Sequence, residues 1–389
     1  MLKRALAVFS AVCILLSMGG CKSILEGETS VIIPYDGLQS DSSPSDDAVK
    51  LSTYNEFKAA VTNMVRNYED SASFRITEFD RSDIEAALPA ACQDVALNDP
   101  LGSYAVYYIS CTVTEIVAYY DVQVSIVYKR TEEELDSLKT VYSDRYLQYA
   151  LLSAMENYDE SCVFYTSIDS ITADHITETL LEQYYRSPLN VVVLPSVEIS
   201  SYPSSEGERI TEVLFSYDFS RSVLISMTNR TNNAAQKMVE QVGGANDREL
   251  LLALCDKLFY SCSYAPDSVS GLADTAYGAL VNSSATSEGY AMAFKALCDK
   301  LGIECIVVNG NFMGQEHLWN IITLSGVSSH VDITQYAQQN ANPLKSDDEM
   351  RSDYWWDTSA VPSCSGGMSP LPPDNTPSDA SNGNDASLG

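Results

Sequence analysis

The sequence predicts an α+β chain with a duplicated front half and a separate C-terminal α+β domain, and three observations carry that prediction. A unit that reads helix, strand, helix, strands occurs twice, with Phe74 and Val163, Pro100 and Pro188, and Tyr128 and Tyr217 falling 88 or 89 residues apart. Downstream, an amphipathic helix opening at Ser287 precedes a strand at Ile303–Val308 and two apolar runs joined at Ser325-Gly326, which is a hairpin signal. The 389 residues, 45% apolar and 20% charged, exceed one compact domain and supply ample core.

The chain opens with Lys3 and Arg4, an uncharged run from Ala5 to Met18, and Gly19-Gly20-Cys21. A basic start, a short apolar run and small residues make residues 1–20 a secretory signal, too short to span a bilayer. Cys21 after two glycines resembles a bacterial lipobox, in which the cysteine is lipidated and becomes the mature N-terminus, although Met18 stands where Leu is usual. The resemblance implies export and lipid anchoring at Cys21 on the outer face of a bacterial membrane, at the cell surface. The alternative is a plain secretory signal with Cys21 incidental. Residues 21–50, with Asp41-Ser42-Ser43-Pro44-Ser45-Asp46-Asp47, are too polar to bury a core and read as a flexible tether.

The first α+β module is expected over 50–140. Its helix Tyr54–Tyr68 places Phe57, Val61, Met64 and Val65 on one face, and a strand follows at Phe74–Thr77. A helix at Ile84–Val95, the break Asn98-Asp99-Pro100 and a strand at Asp121–Tyr128 complete it. The second copy, over 141–225, repeats the order with Tyr146–Glu156, Val163-Phe164-Tyr165, Ile176–Tyr185, Arg186-Ser187-Pro188 and Glu212–Tyr217. Two such copies can pack as a pseudo-symmetric pair. His175, beside Asp174 at a helix start, reads as a surface residue, and the many tyrosines suit half-buried sheet faces.

A net charge of −30 excludes a nucleic-acid partner, which clustered Lys and Arg would have to grip. Of ten cysteines, the eight from Cys92 to Cys364 show no C-x-x-C and no adjacent His, so no metal site is expected. Most read as small buried hydrophobes, and export is compatible with one or two bridges. No metal, nucleotide or organic cofactor is implied.

The C-terminal domain is expected over 247–364, followed by a Pro/Ser/Asn/Asp-rich tail at 365–389 that reads as disordered. Leu251, Leu254, Cys255 and Leu258 share one face of a helix over Arg248–Phe259. Tyr290, Phe294, Leu297 and Leu301 define the buried stripe of the next helix, with Glu288 in its first turn and Gly302 as its stop. Ser287 therefore sits at a helix N-terminus, where free N–H groups stabilise an anion. A two-residue loop at Ser325-Gly326 would pair Leu324 with Val327 and His317 with Thr334, leaving His317 and Asp332 as diagonal neighbours on one sheet face.

Three runs in this order, Ser287-Glu288-Gly289-Tyr290, His317-Leu318-Trp319-Asn320 and His330-Val331-Asp332-Ile333-Thr334, resemble the bacterial transglutaminase-like superfamily, whose fold is papain-like. Ser346–Met350 resembles a segment common after that core. The resemblance covers about 120 residues and leaves out the repeated modules. It implies an acyl-transfer triad with a cysteine nucleophile at the position of Ser287, His317 as base and Asp332 orienting it, with Tyr290, Trp319 and Asn320 around the pocket. Serine replaces that cysteine here. A thiol, with a pKa near 8.5, is readily ionised beside an imidazolium at a helix start; a hydroxyl is not. Glu316 in place of a small residue, Ser328-Ser329 in place of Trp-Tyr, and Gln335 in place of Trp depart from the family in the same direction. The resulting expectation is a surface lipoprotein with a degenerate transglutaminase-like domain, a pseudoenzyme that binds peptide, protein or cell-wall polymer. Two alternatives stand beside it: a hydrolase or acyltransferase using Ser287, His317 and Asp332, and a structural lipoprotein whose repeats carry the interaction.

Overall fold

The structure, a computed structural model, describes residues 49–79, 83–203, 207–266, 272–336 and 343–366. The secretory signal, Cys21, the tether before Val49 and the tail from 367 lie outside them. In the first module, Thr53 and Glu56 form a reciprocal capping box that starts helix α1, Tyr54–Arg66. Phe57, Val61, Met64 and Val65 are buried as the periodicity requires. Strand β1, Val49–Leu51, lies parallel to β2, Ser71–Ile76. Asp83 caps α2, Ile84–Asn98, and Asp99 caps the short α3, Pro100–Ala105. The hairpin of β3, Val106–Ile116, and β4, Tyr119–Tyr128, completes a sheet of order β1-β2-β4-β3.

After a one-turn helix α4, Glu132–Asp136, the second module repeats this topology. Strand β5, Lys139–Thr140, pairs in parallel with β6, Ser161–Thr166, and β6 pairs with β8, Arg209–Ser216, which pairs with β7, Ser196–Tyr202. Helices α5, Asp144–Asn157, and α6, Ala173–Arg186, cover one face. Lys139 and Thr140, expected at the end of the first copy, thus belong to the second sheet, where they occupy the place that Val49–Leu51 takes in the first.

The repeat offset also needs correction. Phe74 corresponds to Phe164, not Val163: Phe74 lies opposite Val49 and Val122, and Phe164 opposite Lys139 and Thr211. Both rings are buried, whereas Val163 points to the other face, because a shift of one residue in a strand reverses every side chain. The true signature is a string, Asn67-Tyr68-Glu69-Asp70-Ser71 through Phe74, echoed by Asn157-Tyr158-Asp159-Glu160-Ser161 through Phe164. Tyr68 and Tyr158 each end a helix in the left-handed region, at φ 56° and 51°. Each then meets the tyrosine that closes its sheet, Tyr68 stacking on Tyr128 at 4.2 Å and Tyr158 meeting Tyr217 edge-on at 5.6 Å.

The two copies are not arranged as a symmetric pair. Tyr104 and Ala105 of α3 pack against Ile210, with Val163, Tyr165 and Tyr202 around them, so the first module covers the outward face of the second sheet. Arg130 Nη2 donates to both oxygens of Glu212 at 2.8 Å; Tyr202 donates to the same carboxylate, and the guanidinium lies over the Tyr104 ring. The matching stretch of the second module forms no helix, and its Val192 packs instead against Met227 and Tyr277. The contacts run head to tail.

Helix α7, Arg221–Val239, crosses position 225, where the second copy was expected to end, and carries Ala235 and Met238 into the C-terminal core. There α8, Asp247–Ser261, and α10, Ser287–Leu301, pack on an antiparallel sheet of order β13-β12-β11-β14. Its strands are β11, Glu304–Phe312, β12, Gln315–Leu324, β13, Val327–Val331, and β14, Tyr354–Trp356. Between α8 and α10 lie β9, Ser263–Tyr264, α9, Ala276–Leu280, and β10, Ser284–Ala285; α11, Asp347–Met350, precedes β14. The eight described cysteines are free thiols, seven of them buried. Among the described residues no helix is long and apolar enough to cross a membrane.

Candidate functional site

Ser287 is the first residue of α10. Thr286 caps the helix and receives the Gly289 N–H, while the Thr286 N–H is bound to the Ala273 carbonyl at 2.9 Å. That contact explains Gly289: a Cβ there would meet the Ala273 oxygen at 2.1 Å. Gly302, at φ 70°, ends the helix.

His317 lies on β12 opposite Gly310, and the hairpin pairs Leu324 with Val327 as its turn residues imply. Pairing stops at Asn320 and Val331, so Thr334 is not opposite His317 in the sheet. Asp332 ends the strand instead, its Oδ1 accepting the N–H groups of Thr334 at 2.9 Å and Gln335 at 3.3 Å. Its Oδ2 accepts from His317 Nε2 at 2.8 Å and from the Tyr354 hydroxyl at 2.7 Å. With Asp332 at 1% exposure and His317 at 5%, the pair is buried and every carboxylate oxygen is bonded. An acceptor on Nε2 fixes the proton there and leaves Nδ1 as the basic nitrogen, without a hydrogen-bond partner among the described residues.

Ser287 stands beside this pair but is not bonded to it. Its Oγ accepts from the Leu318 N–H at 3.4 Å, on the stretch of β12 that β13 leaves uncovered. The structure thus brings Ser287, His317 and Asp332 to one strand edge, with a hydrogen bond joining only the last two.

Tyr290, Trp319 and Asn320, expected around the pocket, are turned into the core at 2%, 1% and 1% exposure. Tyr290 donates to the Cys262 carbonyl at 2.5 Å, and Asn320 Nδ2 to Ala291 O at 3.0 Å and Ile306 O at 3.3 Å, stapling β12 to α10 and β11. Trp319 donates to His330 Nδ1 at 2.9 Å and lies over Gly310, where a Cβ would meet its ring at 2.6 Å. These residues brace the site from within the core.

The surroundings are acidic. Glu288, half-buried, is pushed up to about 7 by burial and by Asp274 nearby, against the opposing pull of Tyr185. Burial, then the negative field of Glu288, Asp274 and Glu316, raises the Tyr185 phenol. Tyr185 comes from α6, so the second module contributes to the neighbourhood of Ser287. Neither Tyr185 nor Tyr354 was legible as part of the site, since only docking of distant elements brings them there.

His330, Asp347 and Cys364 lie close enough together to hold a cation, all ligand atoms falling within 4.8 Å. The chemistry argues otherwise. Because Nδ1 of His330 accepts from Trp319, its proton sits on Nε2 and points at Asp347 Oδ1, 3.0 Å away, so no imidazole lone pair is free. Burial lowers the His330 pKa against the opposing pull of Asp347, and burial pushes the Cys364 thiol up to about 12. Asp347 is filled further by the Ser363 hydroxyl and the Cys364 N–H. His175 pairs with Asp144 at 3.2 Å on the surface of the second module.

No family model matches the chain, and no curated protein does. Among solved structures it is similar to a TGase, at 10% identity over 56% of this chain and 62% of that one, with a TM-score of 0.28. It is also similar to a candidate cysteine protease from Cytophaga hutchinsonii, at 14% identity over 36% of this chain and 62% of that one, with a TM-score of 0.24. A candidate protease from Parabacteroides distasonis shares 9% identity over 67% of this chain and 39% of its own, at a TM-score of 0.22. The chain spans less than two thirds of each.

Proposed function

We propose that the C-terminal domain is a transglutaminase-like fold in which catalysis has been lost and binding kept, on a protein held by lipid at Cys21 to the outer face of a bacterial membrane. Its ligand class is peptide, surface protein or cell-wall polymer. One observation carries the loss of catalysis: Ser287 Oγ is bonded to a strand N–H and not to His317. A serine nucleophile needs its base to remove the proton during attack, so that missing bond matters more than it would for a preformed thiolate. The His317–Asp332–Tyr354 arrangement accounts for the retained histidine without catalysis, because each member satisfies another's buried polar atom. The free Nδ1 of His317 favours the second reading, a hydrolase or acyltransferase acting on amide bonds through Ser287.

Ser287→Cys separates the two readings. The new thiol, at a helix start beside His317, should be alkylated with a pH midpoint below that of an exposed cysteine, yet give no amidase or transglutaminase turnover. In the unaltered protein a fluorophosphonate serine probe should leave Ser287 unlabelled. Stoichiometric labelling that disappears in Ser287→Ala would establish the hydrolase reading instead.

A further inference from the structure

We propose that Cys92 and Cys111 are a reactive thiol pair that a disulfide oxidant closes into a covalent bridge between α2 and β3 of the first module, Cys111 reacting first and Cys92 second. Alternation along β3 turns Ile109, Cys111 and Val113 toward the helices, and Cys111 lies opposite the buried Val124. Cys92 enters the same core from α2, at 1% exposure, and its thiol is hydrogen-bonded to that of Cys111. The bridge would close the loop that carries α3, whose Tyr104 and Ala105 seat the first module on the second.

The two sulfurs differ in reach and in acidity. Cys111 is the one described cysteine that is not buried, and it sits on the outermost strand of its sheet, where a small oxidant can approach from the side. The hydrogen bond from Cys92 lowers the Cys111 thiol against the opposing effect of burial, whereas the same bond, and then burial, raise Cys92. Exchange begins with attack by a thiolate, so Cys111 is the entry point and Cys92 the thiol that resolves. Contact alone does not make such a pair. Cys298 meets Cys305 between α10 and β11 in the same way, but both are buried in the C-terminal core, beyond the reach of an oxidant.

The chemistry is thiol–disulfide exchange. The Cys111 thiolate attacks one sulfur of the oxidant, forming a mixed disulfide and releasing one thiolate. Cys92 then gives up its proton and attacks the Cys111 sulfur, which forms the Cys92–Cys111 bond and releases the second thiolate. The protein loses two electrons and two protons, and the oxidant becomes two thiols. Bonding draws the sulfurs from contact to about 2.05 Å, a closure that β3 can follow because it is paired on one edge alone. Export, as proposed above, would bring the chain into a compartment that supplies such oxidants. Neither thiol belongs to the Ser287 site, so the two proposals succeed or fail separately.

The test is oxidised glutathione added to the full mature chain after reduction and removal of the reductant, followed by alkylation in urea and tryptic mapping. Cys92 and Cys111 fall on one tryptic peptide, residues 82–129, which should escape alkylation and lose two hydrogens. It should do so at least about tenfold faster than Cys298 and Cys305 are lost to alkylation. In an unfolded chain the order would reverse, because Cys298 and Cys305 are 7 residues apart and Cys92 and Cys111 are 19. Cys92→Ala should leave glutathione on Cys111, and Cys111→Ser should leave Cys92 free to be alkylated. Full alkylation of residues 82–129 in the oxidised parent would overturn the proposal. So would bridging of Cys298 to Cys305 at an equal rate, or glutathione on Cys92 in Cys111→Ser.

Discussion

Replacing Glu288 with glutamine should stabilise the protein, and more so at higher pH. The carboxyl is half-buried, faces Asp274, and has a pKa pushed from 4.5 to about 7. The folded state therefore keeps a proton that the unfolded state has already released. The contribution of this group to stability is greatest below pH 4.5, falls as the pH rises to about 7, and is flat beyond it. At about 1.4 kcal/mol per unit the full shift corresponds to roughly 3 kcal/mol, and partial exposure with solvent screening reduces this to about 2 kcal/mol. Glutamine mimics the protonated acid, so Glu288→Gln should exceed the unaltered protein by about 2 kcal/mol at pH 8 and by only about 0.5 kcal/mol at pH 5. Urea unfolding of the full chain at the two pH values reads this directly, and pH 5 keeps the protein above its pI of 4.2. Titrations of groups that do not interact with Glu288 cancel in the difference between variant and parent. A gain of equal size at both pH values would refute the reasoning, because it would come from packing and not from a proton. No gain at pH 8 would mean that Glu288 is solvated and ionised at no cost.

Three further outcomes follow from the geometry. Tyr354→Phe removes a hydrogen bond to a buried carboxylate and should cost about 1.5–2 kcal/mol in urea unfolding; a loss below 0.5 kcal/mol would show that water takes the place of the hydroxyl. Glu212→Gln leaves Arg130 only the longer pair with Glu134 at 3.6 Å, and with that guanidinium partly exposed the cost should be about 1–2 kcal/mol, appearing as earlier unfolding of the first module in limited proteolysis. Incorporation of a palmitate analogue should be lost in Cys21→Ala, and equal label in both forms would remove the lipid anchor from the proposed function.

What the sequence disclosed was local. Ser287 as a helix start, Gly302 as its stop and Ser325-Gly326 as a tight turn were legible because each depends on residues within a few positions. The near approach of His317 to Asp332 followed from the hairpin register, although the strand ended earlier than alternation suggested, since Asp332 spends one oxygen on the N–H groups beyond it. What stayed hidden depends on packing between distant elements. Nothing in Tyr354-Trp355-Trp356 says that this short strand returns across β11 to reach Asp332, 22 residues back. The repeat is visible, and Tyr128 and Tyr217 do match at 89 residues, but Phe74 matches Phe164 and not Val163, because Val163 and Phe164 are both apolar and only the sheet distinguishes inward from outward.

The head-to-tail contact between the modules has a consequence for how the chain grew. An interface that joins two different surfaces of one unit is an open rule: applied again it would add a third unit, and a fourth, as in solenoids. The rule needs an apolar seat on the receiving sheet, which the second module supplies with Val163, Tyr165 and Ile210. The same face of the first module bears Ser71, Ser73, Gln123 and Ser125, all exposed, and Arg75 laid over Tyr119. At the positions matching that seat, Ser73, Arg75 and Asp121, a copy docking there would meet polar groups and gain little, while the exposed apolar residues of this face, Tyr108, Val127 and Ile116, lie elsewhere on it. The first module's sheet therefore lacks, at the matching positions, the apolar seat by which the second receives its neighbour, and docking another copy there would require rewriting those positions.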